Sequence, residues 1–190
     1  MTTTILTLRG RSRPAQAAAV LAGTGLVALA AQVSVPFFPV PMTLQTLAVL
    51  GVGLAFGARL GAVTLLAYLA EGAMGLPVFA NGGSTAALAG PTAGFLVGFV
   101  AMAAVAGLAA GRGLAVMIGA ALVASAVLYG FGLAWPFGLA GLVGIEAGWA
   151  AMAPDALIAA FVHPFVLGDL AKAVLAALIV SGGSSLLRRT

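Results

Sequence analysis

Apolar residues run along this chain in blocks of about 20, a membrane's width for a helix, broken by proline, glycine or arginine. The first block, 15–33, ends at Pro36-Phe37-Phe38-Pro39-Val40-Pro41, which cannot continue a helix. The second, 42–58, stops at Arg59, and the third begins at Leu60, contains Glu71 and fades at Leu76-Pro77. A stretch rich in Gly, Ser and Thr follows over 78–90. The fourth block, 91–110, opens with proline in the favoured first-turn position and closes at Gly111-Arg112. The fifth, 114–134, is closed by Trp135-Pro136, and the last, 164–181, precedes Arg188-Arg189. Between them, 137–163 is interrupted by prolines and by Glu146, Trp149 and Asp155, and reads as short interfacial helices. The pattern predicts an all-α integral membrane protein with six transmembrane helices. A single six-helix domain spans 15–187, between a basic segment 1–14 and a tail 188–190, with outer loops near 33–41, 77–90 and 135–163.

Composition agrees. The 190 residues are 63% hydrophobic and include 27 glycines, with only eight Lys/Arg and four Asp/Glu. So few charges cannot cover a soluble protein of this length. Their placement also sets an orientation. Arg9, Arg11 and Arg13 precede the first span, Arg59 joins two and three, Arg112 joins four and five, and Arg188 and Arg189 follow six. Threaded six times, the chain brings all of these to one side, so the positive-inside rule places both termini in the cytoplasm. A cleaved signal peptide ending near Ala28-Leu29-Ala30 would break that even pattern. The net charge of +4 reflects scarce acids, not a face for nucleic acid.

Three charges stand outside this scheme. Lys172 lies 16 residues before Arg188, about 24 Å up a helix and inside the outer leaflet. Asp169 precedes it on the same helical face. Glu71 sits about 18 Å above Arg59 by the same rise; it either lines a pocket or reaches the interface. Charges at such depth are expensive and are normally paired and functional, although an Asp169–Lys172 pair can also serve only to neutralise itself. The outer loops offer Gln32, Thr43, Gln45, Asn81 and a glycine-rich Gly82-Gly83-Ser84 turn, with aromatic Phe37, Phe38, Phe79 and Phe95. A few polar groups amid apolar walls make a small-molecule pocket. His163, the single histidine, reads as interfacial, and Glu146 and Asp155 as solvating the outer segment.

Other chemistries fall to counting. The only lysine, Lys172, is followed by Ala173, so there is no phosphate-binding loop of the Gly-x-x-x-x-Gly-Lys-Ser/Thr type. With one His, no Cys and scattered carboxylates, no metal site is expected. No cofactor and no catalytic residue is assigned. An intramembrane hydrolase built from Ser84 or Ser125 with His163 or Lys172 has no supporting motif. Binding and movement of a solute remains, by a capture subunit or by a stand-alone facilitator or channel.

Four segments carry a family resemblance. Pro39-Val40-Pro41-Met42-Thr43-Leu44-Gln45-Thr46-Leu47 is the first, and Tyr68-Leu69-Ala70-Glu71-Gly72-Ala73-Met74-Gly75-Leu76-Pro77-Val78-Phe79 the second. Gly90-Pro91-Thr92-Ala93-Gly94-Phe95-Leu96-Val97-Gly98-Phe99 and Pro164-Phe165-Val166-Leu167-Gly168-Asp169-Leu170-Ala171-Lys172 complete the set. In order, they resemble the BioY family, the biotin-binding S components of energy-coupling factor (ECF) vitamin transporters. The resemblance implies an S-component fold in a bacterial cytoplasmic membrane, with biotin held near the outer face beneath the loops after spans one and three. It implies Asp169, Lys172 and Asn81 as biotin-binding residues; Thr43, Gln45, Tyr68, Glu71, Phe79 and Phe95 stand beside them as possible pocket residues of the sequence reading. It also implies partners: a transmembrane T component and two ATPases. The T component would pack on Ala-x-x-x-Ala positions of the first helix, Ala15/Ala19 or Ala18/Ala22. One position departs. Where the family usually has Gly-Gly followed by Tyr or Arg after Gly-Pro-Thr, this chain has Ala93-Gly94-Phe95. Phe95 cannot bond the carboxylate of biotin's tail, which leaves that contact to backbone N–H groups, water or a loop side chain.

Overall fold

The computed structural model describes residues 12–186, and Arg9, Arg11, Arg188 and Arg189 lie outside them. Helix α1 (Arg13–Gln32) starts with Pro14 in its first turn, where the missing N–H costs nothing. It is followed by a two-stranded antiparallel ribbon that the apolar pattern does not predict: β1 (Ser34–Val35) pairs with β2 (Met42–Thr43), Ser34 opposite Thr43. The ribbon draws Met42 and Thr43 out of the second block. Helix α2 is therefore Gln45–Phe56, 12 residues or about 18 Å. Gly57, at φ 84, ends α2 in a backbone region that glycine enters freely, and α3 (Ala58–Ala73) begins at once. Two short 3₁₀ turns, Ala80–Gly82 and Thr85–Leu88, lead to α4 (Ala93–Gly107).

Helix α5 (Leu114–Ala134) matches its apolar block residue for residue. Pro136 has no N–H to continue the i→i−4 ladder, and the chain widens into a π turn over Trp135–Leu139 before the brief α6 (Ala140–Leu142). A 3₁₀ turn, Gly148–Ala151, and the short α7 (Pro154–Phe161) fill the interrupted region, as the sequence pattern predicts. Helix α8 (Val166–Leu186) closes the bundle.

Helices α2 and α4 form the middle. Helix α4 packs on α5, α3 and α2, while α8 packs on α2 and α5, and α1 leans on α3 and α2. A Cβ on Gly53 would come within 2.5 Å of the Ala103 carbonyl oxygen, so only glycine lets α2 and α4 approach this closely. Val49, Leu50, Leu54, Leu65, Met102 and Leu128 are buried in the core between them. The outside is equally apolar: Leu21, Leu29, Leu66, Val123, Leu167 and Ile179 are all more than half exposed. Such a surface suits lipid, not water. Among the described residues, three helices, Arg13–Gln32, Leu114–Leu142 and Val166–Ser185, are long and apolar enough to cross a bilayer, and the chain is a multi-pass membrane protein.

Candidate functional site: a closed polar network at one end of the bundle

A cavity of about 260 Å³ opens at the end of the bundle where α1, α3 and α5 finish and α4 and α8 begin. That is near the lower end of ordinary small-molecule sites, about 300 Å³. Its walls are largely apolar, with Phe79, Phe95, Phe99, Leu128 and Phe165 among them. Phe95 stacks on Phe161 at 6.4 Å, and its ring lies so close to Gly132 that an added Cβ there would sit 2.4 Å away. Phe79 meets Tyr68 edge to face at 5.3 Å. These rings are locked by packing.

The charged pair sits in one wall. Asp169 and Lys172, three residues apart on α8, are 5% and 9% exposed and form an ion pair at 3.1 Å. A buried pair survives only if most of its remaining hydrogen-bonding capacity is met, and here two of the three Lys172 N–H donors and both Asp169 oxygens are engaged. Asp169 Oδ1 accepts from Thr46 Oγ1 at 2.8 Å, and Oδ2 accepts from the Tyr129 hydroxyl at 2.7 Å. Lys172 Nζ also donates to the Thr43 carbonyl at 2.8 Å. The pair thus ties together α2, α5, α8 and the ribbon.

The opposite wall is a loop held in place by side chains. Gln32, the last residue of α1, donates from Nε2 to the Phe79 carbonyl and accepts at Oε1 from the Gly82 N–H, both at 3.1 Å. Between those two anchor points stands Asn81, at φ 56, a left-handed conformation asparagine tolerates better than most residues. Ser34 Oγ donates to Asn81 Oδ1 at 2.7 Å, which leaves the amide N–H groups of Asn81 for another partner. The Trp135 indole N–H reaches the Gly90 carbonyl at 2.9 Å and fixes the far end of the loop.

Of the residues expected from the sequence, Asn81, Thr43, Gln45, Phe79, Phe95, Asp169 and Lys172 line this one cavity. Tyr68 stands behind it. Fully buried, it accepts from Gln45 Nε2 at 2.9 Å and donates to the Val78 carbonyl at 2.8 Å, orienting the wall instead of forming it. Glu71, one turn further along α3, is half-buried outside the lining residues. Sequence reasoning passed over Tyr129 and Thr46, both in the lining and both bonded to Asp169. Their one signal was polarity: Tyr129 is one of two tyrosines in the chain, and it interrupts an apolar run. On α1, Ala18 and Ala22 face outward, while Ala15 and Ala19 are half-buried.

The chain as a whole is similar to known proteins. A sequence profile described as the BioY family matches residues 2–189. The biotin transporter BioY of Thermotoga maritima is 44% identical over 86 residues, 45% of this chain and 51% of that relative. The biotin transporter BioY of Rhizobium etli is 45% identical over 91 residues, 47% of each chain. By these alignments the chain spans about half the length of the curated relatives it matches. Among solved structures, the S-component for biotin from an ECF-type ABC transporter superposes with a TM-score of 0.69 over 95% of this chain and 96% of that one. At 21% identity, that match speaks for the fold.

Proposed function

The chain belongs to the BioY family, and from that premise we propose that it captures biotin at the outer face of the membrane for uptake. The observation that carries this reading is the polar network set against apolar walls: Asp169, Lys172 and Asn81 line one cavity with Phe79 and Phe95. Biotin's ureido ring presents two N–H donors and one carbonyl acceptor. A carboxylate accepts from the donors, and an ammonium or amide N–H donates to the carbonyl. Because Asp169 and Lys172 are nearly excluded from water, such charge-assisted bonds gain strength and selectivity. The bicyclic thioether and alkyl tail match the aromatic and aliphatic walls. The similarly folded structure is described as the S-component for biotin, and the relatives are named biotin transporters.

In this reading the chain crosses the membrane six times with both termini in the cytoplasm, in the cytoplasmic membrane of a bacterium. Helices α1, α2, α3, α4, α5 and α8 are the spans. The exposed arginines support the orientation: Arg13, Arg59 and Arg112 all lie at the helix ends away from the cavity. With no phosphate-binding loop in its sequence, the chain draws its energy from separate ATPase subunits through a T component. The outward Ala18/Ala22 pair on α1 is the closer fit for that component's helix. Ala15 and Ala19 are partly taken up within this chain.

Mass spectrometry of the small molecules that co-purify from unsupplemented cells tests the ligand without presuming it. Biotin at near one equivalent is the expected result, and a different vitamin would overturn the assignment. Reconstituted alone in vesicles, the chain is expected to hold biotin without accumulating it. Steady transport without ATPase partners would instead favour a facilitator.

A further inference from the structure

We infer that this cavity recognises the ring end of its ligand but not the charge of the tail. It therefore takes neutral and amide-extended forms of biotin alongside the free acid. The inference rests on the biotin reading above and starts from where every described lysine and arginine lies. Among the residues lining the cavity, only Asp169 and Lys172 carry charge, and at 3.1 Å they cancel. Lys172 already donates to Asp169 and to the Thr43 carbonyl. A tail carboxylate brought to that ammonium would stand against the charge of Asp169. Like charges so close oppose each other strongly.

The described arginines are far away, and His163, two residues before Phe165, is not among the residues lining the cavity. Arg13 opens α1, whose opposite end, Gln32, meets the cavity loop about 28 Å along the helix. Arg112 precedes α5, and Tyr129 lies 17 residues, about 26 Å, further on. Arg59 sits in the first turn of α3, while the loop over the cavity follows that helix's last. Each is nearly a membrane's thickness from the site. The first turn of α4, at the cavity rim after Gly90, Pro91 and Thr92, attracts anions through its N–H groups. This helix end is partly buried, with Pro91 and Thr92 half-buried and Ala93 and Gly94 buried, and there the attraction amounts to about thirtyfold at most.

A carboxylate buried against Phe95, Phe99 and Phe165 would be unpaired and strongly disfavoured. It must stay in water. The cavity meets water beside Asn81, which lines it and is exposed. A tail that ends in solvent can be capped or lengthened with little change in contact. The ligand class is then the ureido ring system carrying a free acid, a primary amide or an amide-linked amino acid. Peptidase-type hydrolysis of biotin-bearing protein is the class of reaction that supplies the last.

The test is equilibrium titration of the purified full chain with biotin, biotin amide, and biotin joined through its carboxyl to the side chain of lysine. All three are expected to bind within about thirtyfold of one another, the most that the α4 terminus could contribute. Thr92→Arg, which sets a cation on the rim, is expected to raise the preference for the acid over the amide about tenfold above that of the natural chain. In the natural chain, a preference for free acid above about thirtyfold would overturn the inference while leaving biotin binding intact. If none of the three binds, the biotin reading falls, and this inference falls with it.

Discussion

Buried polar side chains behave in two ways in this bundle, and the contrast marks the site. Away from the cavity they turn back on their own helix: Thr24 donates to the Leu21 carbonyl, Thr64 to Leu60 and Ser125 to Ala121. Around the cavity they reach across the fold: Thr46 and Tyr129 bond Asp169 over 123 and 40 residues of sequence, and Lys172 reaches Thr43 over 129. A hydroxyl that satisfies itself locally is neutral ballast in an apolar helix. One that needs another element is satisfied only when the whole fold is in register. The second kind holds the fold in one arrangement and presents the pocket at the same time.

The contrast breaks most severely at the charged pair. Asp169→Asn or Lys172→Ala leaves a buried group without its counter-charge, a loss of about 3–5 kcal/mol in comparable pairs. Titration should show biotin affinity reduced at least about tenfold in each variant, with a lower thermal midpoint for the purified chain. Next comes Tyr129→Phe, which removes one hydrogen bond to a charged group, about 1.5–3 kcal/mol. Its expected effect is roughly a tenfold or greater weakening, with expression and helical content by circular dichroism unchanged. Unaltered affinity there would mean that the Tyr129 contact serves packing only.

A smaller effect is expected at the loop. Gln32→Ala frees the Phe79 carbonyl and the Gly82 N–H, two neutral bonds of about 1 kcal/mol each. Several-fold weaker binding should follow. Combined with Asn81→Ala, the losses should fall short of additive, because Gln32 acts by placing Asn81. The smallest effect sharpens the comparison from the other side. Ser125→Ala, one turn before Tyr129 on the same helix, should leave affinity unchanged and move stability by no more than about 0.5 kcal/mol. A clear loss of binding at Ser125 would erase the distinction between the two kinds of polar residue.

The same distinction explains what could be read from the chain beforehand. Helix α5 was legible to the residue because Gly113 and Trp135-Pro136 punctuate it, and such signals are local. Asp169 and Lys172 were legible because charge within an apolar run has no cheap explanation. The ribbon was not: strands of two residues are too short for an alternating pattern, and Met42–Thr43 reads as the start of an apolar helix. Nor were Thr46 and Tyr129. A threonine or tyrosine in an apolar helix is ordinary, and what sets these two apart is a partner on α8 that only the packing of α2 and α5 supplies. For Glu71 the sequence could not distinguish a pocket position from a neighbouring one, since a single turn of α3 separates it from Tyr68. The expected membrane orientation is read from seven arginines, of which Arg13, Arg59 and Arg112 lie at the helix ends away from the cavity, while Arg9, Arg11, Arg188 and Arg189 lie outside the described residues.

Isothermal titration of biotin into the purified chain, with Asp169→Asn measured beside it, tests the central claim most directly. A single saturable site in the natural chain, weakened at least about tenfold in the variant, is the predicted result. Equal affinity in the two proteins would contradict it.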